Sequence, residues 1–207
     1  MNRRYVIKIG AFAGMALTFG ISSSYAASGM LGKMGPDDWK KANADAGAGV
    51  KALAPGDKPL SESDAELLKE IAAGGMMQLK LSETAAEMGS SEDVKMIANA
   101  EVEEQTIIGA KLKEMAKAGG VTLPAGPDKD TLDAVEKLKS KKGLELDKHY
   151  LEVSGIEGHV KLKVTMEKVL SKADSPILKD LAKTALPIIK IHLQVSKDES
   201  SDMEKAE

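Results

Sequence analysis

Cysteine is absent from all 207 residues. Disulfides, thiolate metal sites, cysteine nucleophiles and lipid attachment at cysteine are excluded together. Arginine is almost as scarce: its two copies, Arg3 and Arg4, stand at the extreme N-terminus. The rest of the chain therefore has no bidentate guanidinium contact to offer phosphate or guanine. Its lysines are interspersed with acids, so no nucleic acid is expected as a partner. Aromatic residues make up only 3%, and Tyr5, Phe12, Phe19 and Tyr25 crowd the start, leaving Trp39 and Tyr150 for the remainder. Base stacking and aromatic-lined sugar or peptide grooves lose their usual material. The core must be built from Leu, Ile, Val, Met and Ala. No Gly-rich phosphate loop or Ser/His/Asp order is present, and Gly89-Ser90-Ser91 lacks the strand a nucleophile elbow requires. The chain does not read as an enzyme.

The N-terminus carries an address. Arg3, Arg4 and Lys8 precede a short apolar run from Ile9 to Ile21, and Ser24-Tyr25-Ala26 offers small residues where a signal peptidase reads. A signal peptide over residues 1–26 is expected, with cleavage after Ala26 or Ala27 and a periplasmic or otherwise extracytoplasmic mature protein. A retained anchor is the weaker alternative, because the run is short for a bilayer span. No later segment is apolar enough to give the mature form a stable membrane span. Losing Arg3, Arg4 and Lys8 takes the net charge from −3 to −6.

Residues 27–60 show no sustained period and read as a flexible linker or arm, with Trp39 as its one large apolar anchor. A helix-start signal, Ser61-Glu62-Ser63-Asp64, follows. Leu68, Ile71, Gly75, Gln78, Ser82 and Ala85 then recur at three- and four-residue steps to Met88. Gly74-Gly75 inside this helix predicts close approach of a neighbour. Ser91 opens a second helix with Val94, Ile97, Glu101, Gln105, Ile108, Leu112 and Met115, ending at Gly119-Gly120. So short a break makes these two helices antiparallel neighbours. A short helix over 131–142 follows the prolines of a loop. A third long helix runs from about Glu145 to Ser171, and a fourth from Ser175-Pro176 to Lys197, with Pro187 predicted to bend it. The acidic tail 199–207 reads as disordered. The fold class is all-α: a four-helix bundle over 61–198, with the short extra helix in the connection between helices two and three.

Each long helix carries one uncharged amide or imidazole near the middle of its apolar stripe: Gln78, Gln105, His159 and His192. Packing the stripes together brings these four to roughly one level of a dry core, where a polar group without a partner costs about 1–3 kcal/mol. A hydrogen-bond network, a water or a metal must hold such a layer. His159 and His192 are good transition-metal ligands but make a thin set by themselves. Glu101, one turn before Gln105, can add a carboxylate, and Glu157 beside His159 is a further candidate. The competing reading is mutual hydrogen bonding among Gln, His and Glu, since the di-iron arrangement of paired Glu and Glu-x-x-His is missing. His149 reads as an exposed polar residue, and the pairs Met30/Met34 and Met76-Met77 read as core filler rather than copper ligands.

Several segments resemble a known family. They include Ala72-Ala73-Gly74-Gly75-Met76-Met77-Gln78-Leu79, Ser90-Ser91-Glu92-Asp93-Val94-Lys95 and Gly120-Val121-Thr122-Leu123-Pro124. Leu146-Asp147-Lys148-His149-Tyr150-Leu151, Gly158-His159, Ala185-Leu186-Pro187 and His192-Leu193 continue the series. In order and spacing the chain is similar, over roughly 64–195, to exported bacterial proteins carrying the domain of unknown function 4142. The resemblance implies a ferritin-like four-helix bundle. It also implies a glutamate where this chain has Gln78 and a histidine where it has Gln105, with later histidines matching His159 and His192. A metal site in this member would then be weak or lost.

The expectation is an exported, non-enzymatic bundle with a structural or weakly ligand-binding Gln/His layer. The alternatives are a metal-binding or metal-dependent redox or stress protein using His159, His192 and Glu101, and an envelope protein-interaction module. No cofactor is assigned beyond a weakly bound divalent transition metal.

Overall fold

The computed structural model describes residues 30–205; the expected signal peptide lies outside the described residues. Seven α-helices follow one another: α1 Pro36–Ala52, α2 Glu62–Met88, α3 Glu92–Gly119, α4 Lys129–Lys139, α5 Leu144–Tyr150, α6 His159–Lys172 and α7 Pro176–Lys205. A π-helix, Leu151–Gly158, joins α5 to α6. Local chemistry explains the boundaries. The Ser61 hydroxyl accepts from the Asp64 amide, Ser91 from Asp93 and Val94, and Asp128 from Thr131. Gly120 closes α3 in the left-handed conformation at φ 71°.

The fold is an all-α bundle in which α2 pairs with α3 and α6 with α7. The α3 end at Gly119 meets Leu60, whose amide donates to its carbonyl at 3.0 Å. The start of α5 sits at the opposite end of the bundle, beside Ser90 and Ser91. Residues 120–143 therefore run the length of the bundle, carrying α4 across α2. One long crossover of this kind is the connectivity of ferritin-like bundles.

Two buried aspartates tie the hairpins together. Asp147 accepts from the Ser90 and Ser91 amides at 2.9 Å each and from the Ser90 hydroxyl, at the α2–α3 break. Asp64 does the same for the α6–α7 break, accepting from Asp174 at 3.0 Å and Ser175 at 2.9 Å. Each hairpin thus clamps the turn of the other. Charge-assisted bonds of this kind contribute roughly 1.5–3 kcal/mol each. Asp147→Ala is accordingly expected to cost at least about 2 kcal/mol. Urea unfolding checks this; a cost within experimental error of zero refutes the clamp.

Residues 36–52, expected as part of a flexible arm, are helical. Trp39 and Val50 are buried, and Gly47 is buried between them. The stripe 39, 43, 47, 50 has helical spacing but only two large apolar members, too few to announce itself. Its small residues let α1 press onto α3 and α7: a Cβ on Gly47 would stand 2.9 Å from Ile107, and one on Gly49 2.9 Å from Thr184. Before α1, the Gly32 amide donates to the Glu199 carboxylate and Lys33 pairs with Asp198 at 2.9 Å. These contacts, with buried Met203, give the acidic tail something to pack on. Residues 199–205 continue α7 instead of fraying. α7 also runs on through Pro187 as one helix. Among the described residues no helix is long and apolar enough to cross a membrane.

Candidate functional site

Glu101 sits at the centre of the bundle, fully buried, on the inward stripe of α3. Its Oε2 lies 3.0 Å from His159 Nε2 and 2.8 Å from His192 Nδ1. Its Oε1 accepts from Gln105 Nε2 at 2.9 Å. Gln78 reaches the same level, but from behind His159: its Nε2 donates to the Ser154 carbonyl at 3.0 Å and stands 3.4 Å from His159 Nδ1. Gln78, Gln105, His159 and His192 thus meet at one level, with Glu101 linking three of them. Glu157 is exposed on the outside of the π-helix and does not join. His149 is half-buried and faces Glu152 at 3.7 Å, with its pKa lowered by burial and by Lys137 and Lys141. Met77 packs into the core, Met30 is exposed and Met76 lines a cavity described below.

The backbone is shaped for this arrangement. In the π-helix the Ser154 carbonyl accepts from side chains, Gln78 Nε2 and His159 Nδ1, the latter at 3.0 Å. Such bulges frequently accompany functional positions. Gly158 makes the approach of Gln78 possible, since a Cβ there would stand 2.3 Å from Gln78 Oε1. Gly75 plays the same part for Gln105, at 2.7 Å. The Gly74-Gly75 pair therefore does mark close packing.

Proton positions follow from the partners. A carbonyl only accepts, so His159 Nδ1 carries the proton it gives to Ser154. The Asn43 amide nitrogen donates to the Trp39 carbonyl at 2.9 Å, which turns Asn43 Oδ1 toward His192 Nε2 at 2.8 Å. His192 therefore carries its proton on Nε2. Both imidazoles spend their N–H groups outward on oxygen acceptors and aim the opposite nitrogen at Glu101 Oε2. Metal-ligating histidines have this arrangement. The Trp39 ring, 4.6 Å from that of His192, covers the centre on the α1 side.

Lone pairs of nitrogen and carboxylate oxygen facing each other at 2.8–3.0 Å need a cation between them, either protons or a metal ion. The direction of each pKa agrees. Burial opposes ionisation of Glu101, but the His159 charge and hydrogen bonds from both imidazoles hold it well below the usual carboxylate range. Burial lowers His159, and Glu101 more than offsets this, leaving it raised. Burial prevails at His192, which is lowered despite Glu101.

Sequence reading missed Glu104. It is 7% exposed, its Oε2 lies 3.4 Å from His192 Nδ1, and neither of its oxygens receives a hydrogen bond. Burial, then the Glu101 charge, pushes its pKa well above the normal range. Its position one turn after Glu101 and next to Gln105 was legible; that this side chain turns inward was not, because the stripe already had Gln105.

The atoms Glu101 Oε2, His159 Nε2 and His192 Nδ1 all lie within 4.8 Å of one another, and this buried group can hold a metal. Tetrahedral ligands at about 2.1 Å from a zinc ion stand roughly 3.4 Å apart, so each imidazole nitrogen, now 3.0 or 2.8 Å from Glu101 Oε2, needs to draw back from it by about half an ångström. Glu104 lies beside this group, with its Oε2 3.4 Å from His192 Nδ1.

The family model for a domain of unknown function, DUF4142, matches residues 50–198, and the chain belongs to this family. No curated protein and no solved structure matches it.

Proposed function

We propose that this member of the DUF4142 family is an exported, ferritin-like bundle that binds one divalent transition metal through Glu101, His159 and His192, with Glu104 as fourth ligand. The observation that carries the proposal is the double outward commitment of the imidazoles: Nδ1–H of His159 to Ser154 and Nε2–H of His192 to Asn43 leave two nitrogens and Glu101 Oε2 converging. Imidazole and carboxylate together suit zinc, iron or manganese. Two carboxylates and two neutral imidazoles would balance a divalent ion with no net charge left in the core.

The amides at 78 and 105 do not weaken this reading. Gln78 stands behind His159, donating to the same Ser154 carbonyl that orients the ring, and Gln105 holds the far oxygen of Glu101. Neither occupies a position that the metal would need. The chemistry is binding, in an extracytoplasmic metal-handling or stress role, rather than turnover. The signal-like residues 1–26 support export.

The test is metal analysis of protein purified from the cell envelope, followed by calorimetric titration of the stripped protein with Zn²⁺, Mn²⁺ and Fe²⁺. About one equivalent per chain is expected for at least one of these ions. Stripped native protein that takes up none of them refutes the proposal.

A further inference from the structure

A cavity of about 350 Å³ lies between α2, α3 and the stretch leading into α4. Its walls are mainly apolar, with Met76, Leu79 and Leu123 among them, and Gly75 and Gly109 contribute no side chain. Two wall residues are polar and buried, Thr131 at 2% and Gln105 at 4% exposed. The Gln105 amide orientation is decided by Glu101, which only accepts and so takes the Nε2–H. Gln105 Oε1 is thereby turned toward Gly75 and the cavity, and it receives no hydrogen bond from the described residues. An acceptor that faces a cavity is open to a donor on a molecule that enters it. The Thr106 hydroxyl is committed to the Val102 carbonyl, and the Asp128 carboxylate caps α4 and holds the Thr131 side chain.

We infer that this cavity is a binding site for a small, mainly apolar molecule carrying one hydrogen-bond donor, of the phenol or alcohol class, whose O–H donates to Gln105 Oε1. Volume and lining match ligand sites of that kind, with apolar walls and one placed polar group setting orientation. Gln105 touches the ligand with one end of its amide and Glu101 with the other, so occupancy is transmitted to the polar centre. The site itself does not depend on a metal being bound there.

The experiment follows the Met76 methyl signal in ¹³C-methionine-labelled mature protein stripped of metal with EDTA, so its outcome is separate from that of metal binding. The probes are 4-propylphenol and its methyl ether, which has the same shape without the donor. A saturable shift is expected, with the phenol binding about fivefold tighter than the ether. Gly109→Leu is the blocking variant. A Cβ at Gly109 meets nothing within 4 Å, and leucine is a better helix former than glycine, so the chain folds while the cavity fills. It is expected to weaken the phenol at least about tenfold. Equal affinity for phenol and ether, no response to Gly109→Leu, or no saturable shift each overturns the inference.

Discussion

Glu101→Ala unfolds in urea with a stability about 3–5 kcal/mol below that of the metal-free native chain. Gln105 loses its acceptor and the inward nitrogens of His159 and His192 lose the carboxylate oxygen they face, in a place water does not reach. For a domain of this size the loss lowers the melting temperature by roughly 6–20 °C. Glu101→Gln behaves differently. Its Nε2–H₂ can face His159 Nε2 and His192 Nδ1, whose protons are committed outward, while its Oε1 still accepts from Gln105. The metal-free protein therefore tolerates glutamine far better than alanine, yet glutamine removes the carboxylate that a divalent ion needs. Stability measured with EDTA, and zinc uptake measured by calorimetry, separate the two effects. If alanine costs under about 1 kcal/mol, the network does not hold the core. If glutamine still binds a full equivalent of zinc at native affinity, Glu101 is not a ligand.

The second large effect changes sign with metal. Glu104 is buried with both oxygens unpaired, so in metal-free protein Glu104→Gln is expected to stabilise the fold by about 1–2 kcal/mol. With zinc at a hundredfold excess over its dissociation constant, the native chain gains about 2.7 kcal/mol by mass action. The variant, short of one ligand, gains less, and the order of the two melting temperatures reverses. A purely structural carboxylate leaves the variant ahead in both conditions. Thermal melts of both proteins in EDTA and in zinc give the answer, and a variant that stays ahead in zinc sinks the four-ligand arrangement.

The bundle was legible because helix periodicity, caps and breaks are local signals. Ser61, Ser91 and Gly120 act where the residue pattern puts them, and the shortness of the 89–91 break left antiparallel pairing as the one solution. The polar layer was legible for the same reason: an amide or imidazole on an apolar stripe must be buried with the stripe. Glu101, His159 and His192 could be singled out as one group from their heights along the helices. α1 was not legible, since Ala and Gly carry no hydrophobic signal and show their purpose only against Ile107 and Thr184.

What sequence by itself determined, then, is the long helices of the bundle, their pairing and which polar residues share a level, because these depend on spacing along one chain. Which way each side chain faces depends on contacts between helices distant in sequence, and only the tertiary structure decided it. Gln78 stands behind His159 rather than beside the converging nitrogens because Gly158 admits it there. Asn43, from a helix the pattern did not reveal, assigns the His192 proton. Glu104 becomes a candidate ligand through a 3.4 Å approach to His192 across 88 positions of chain.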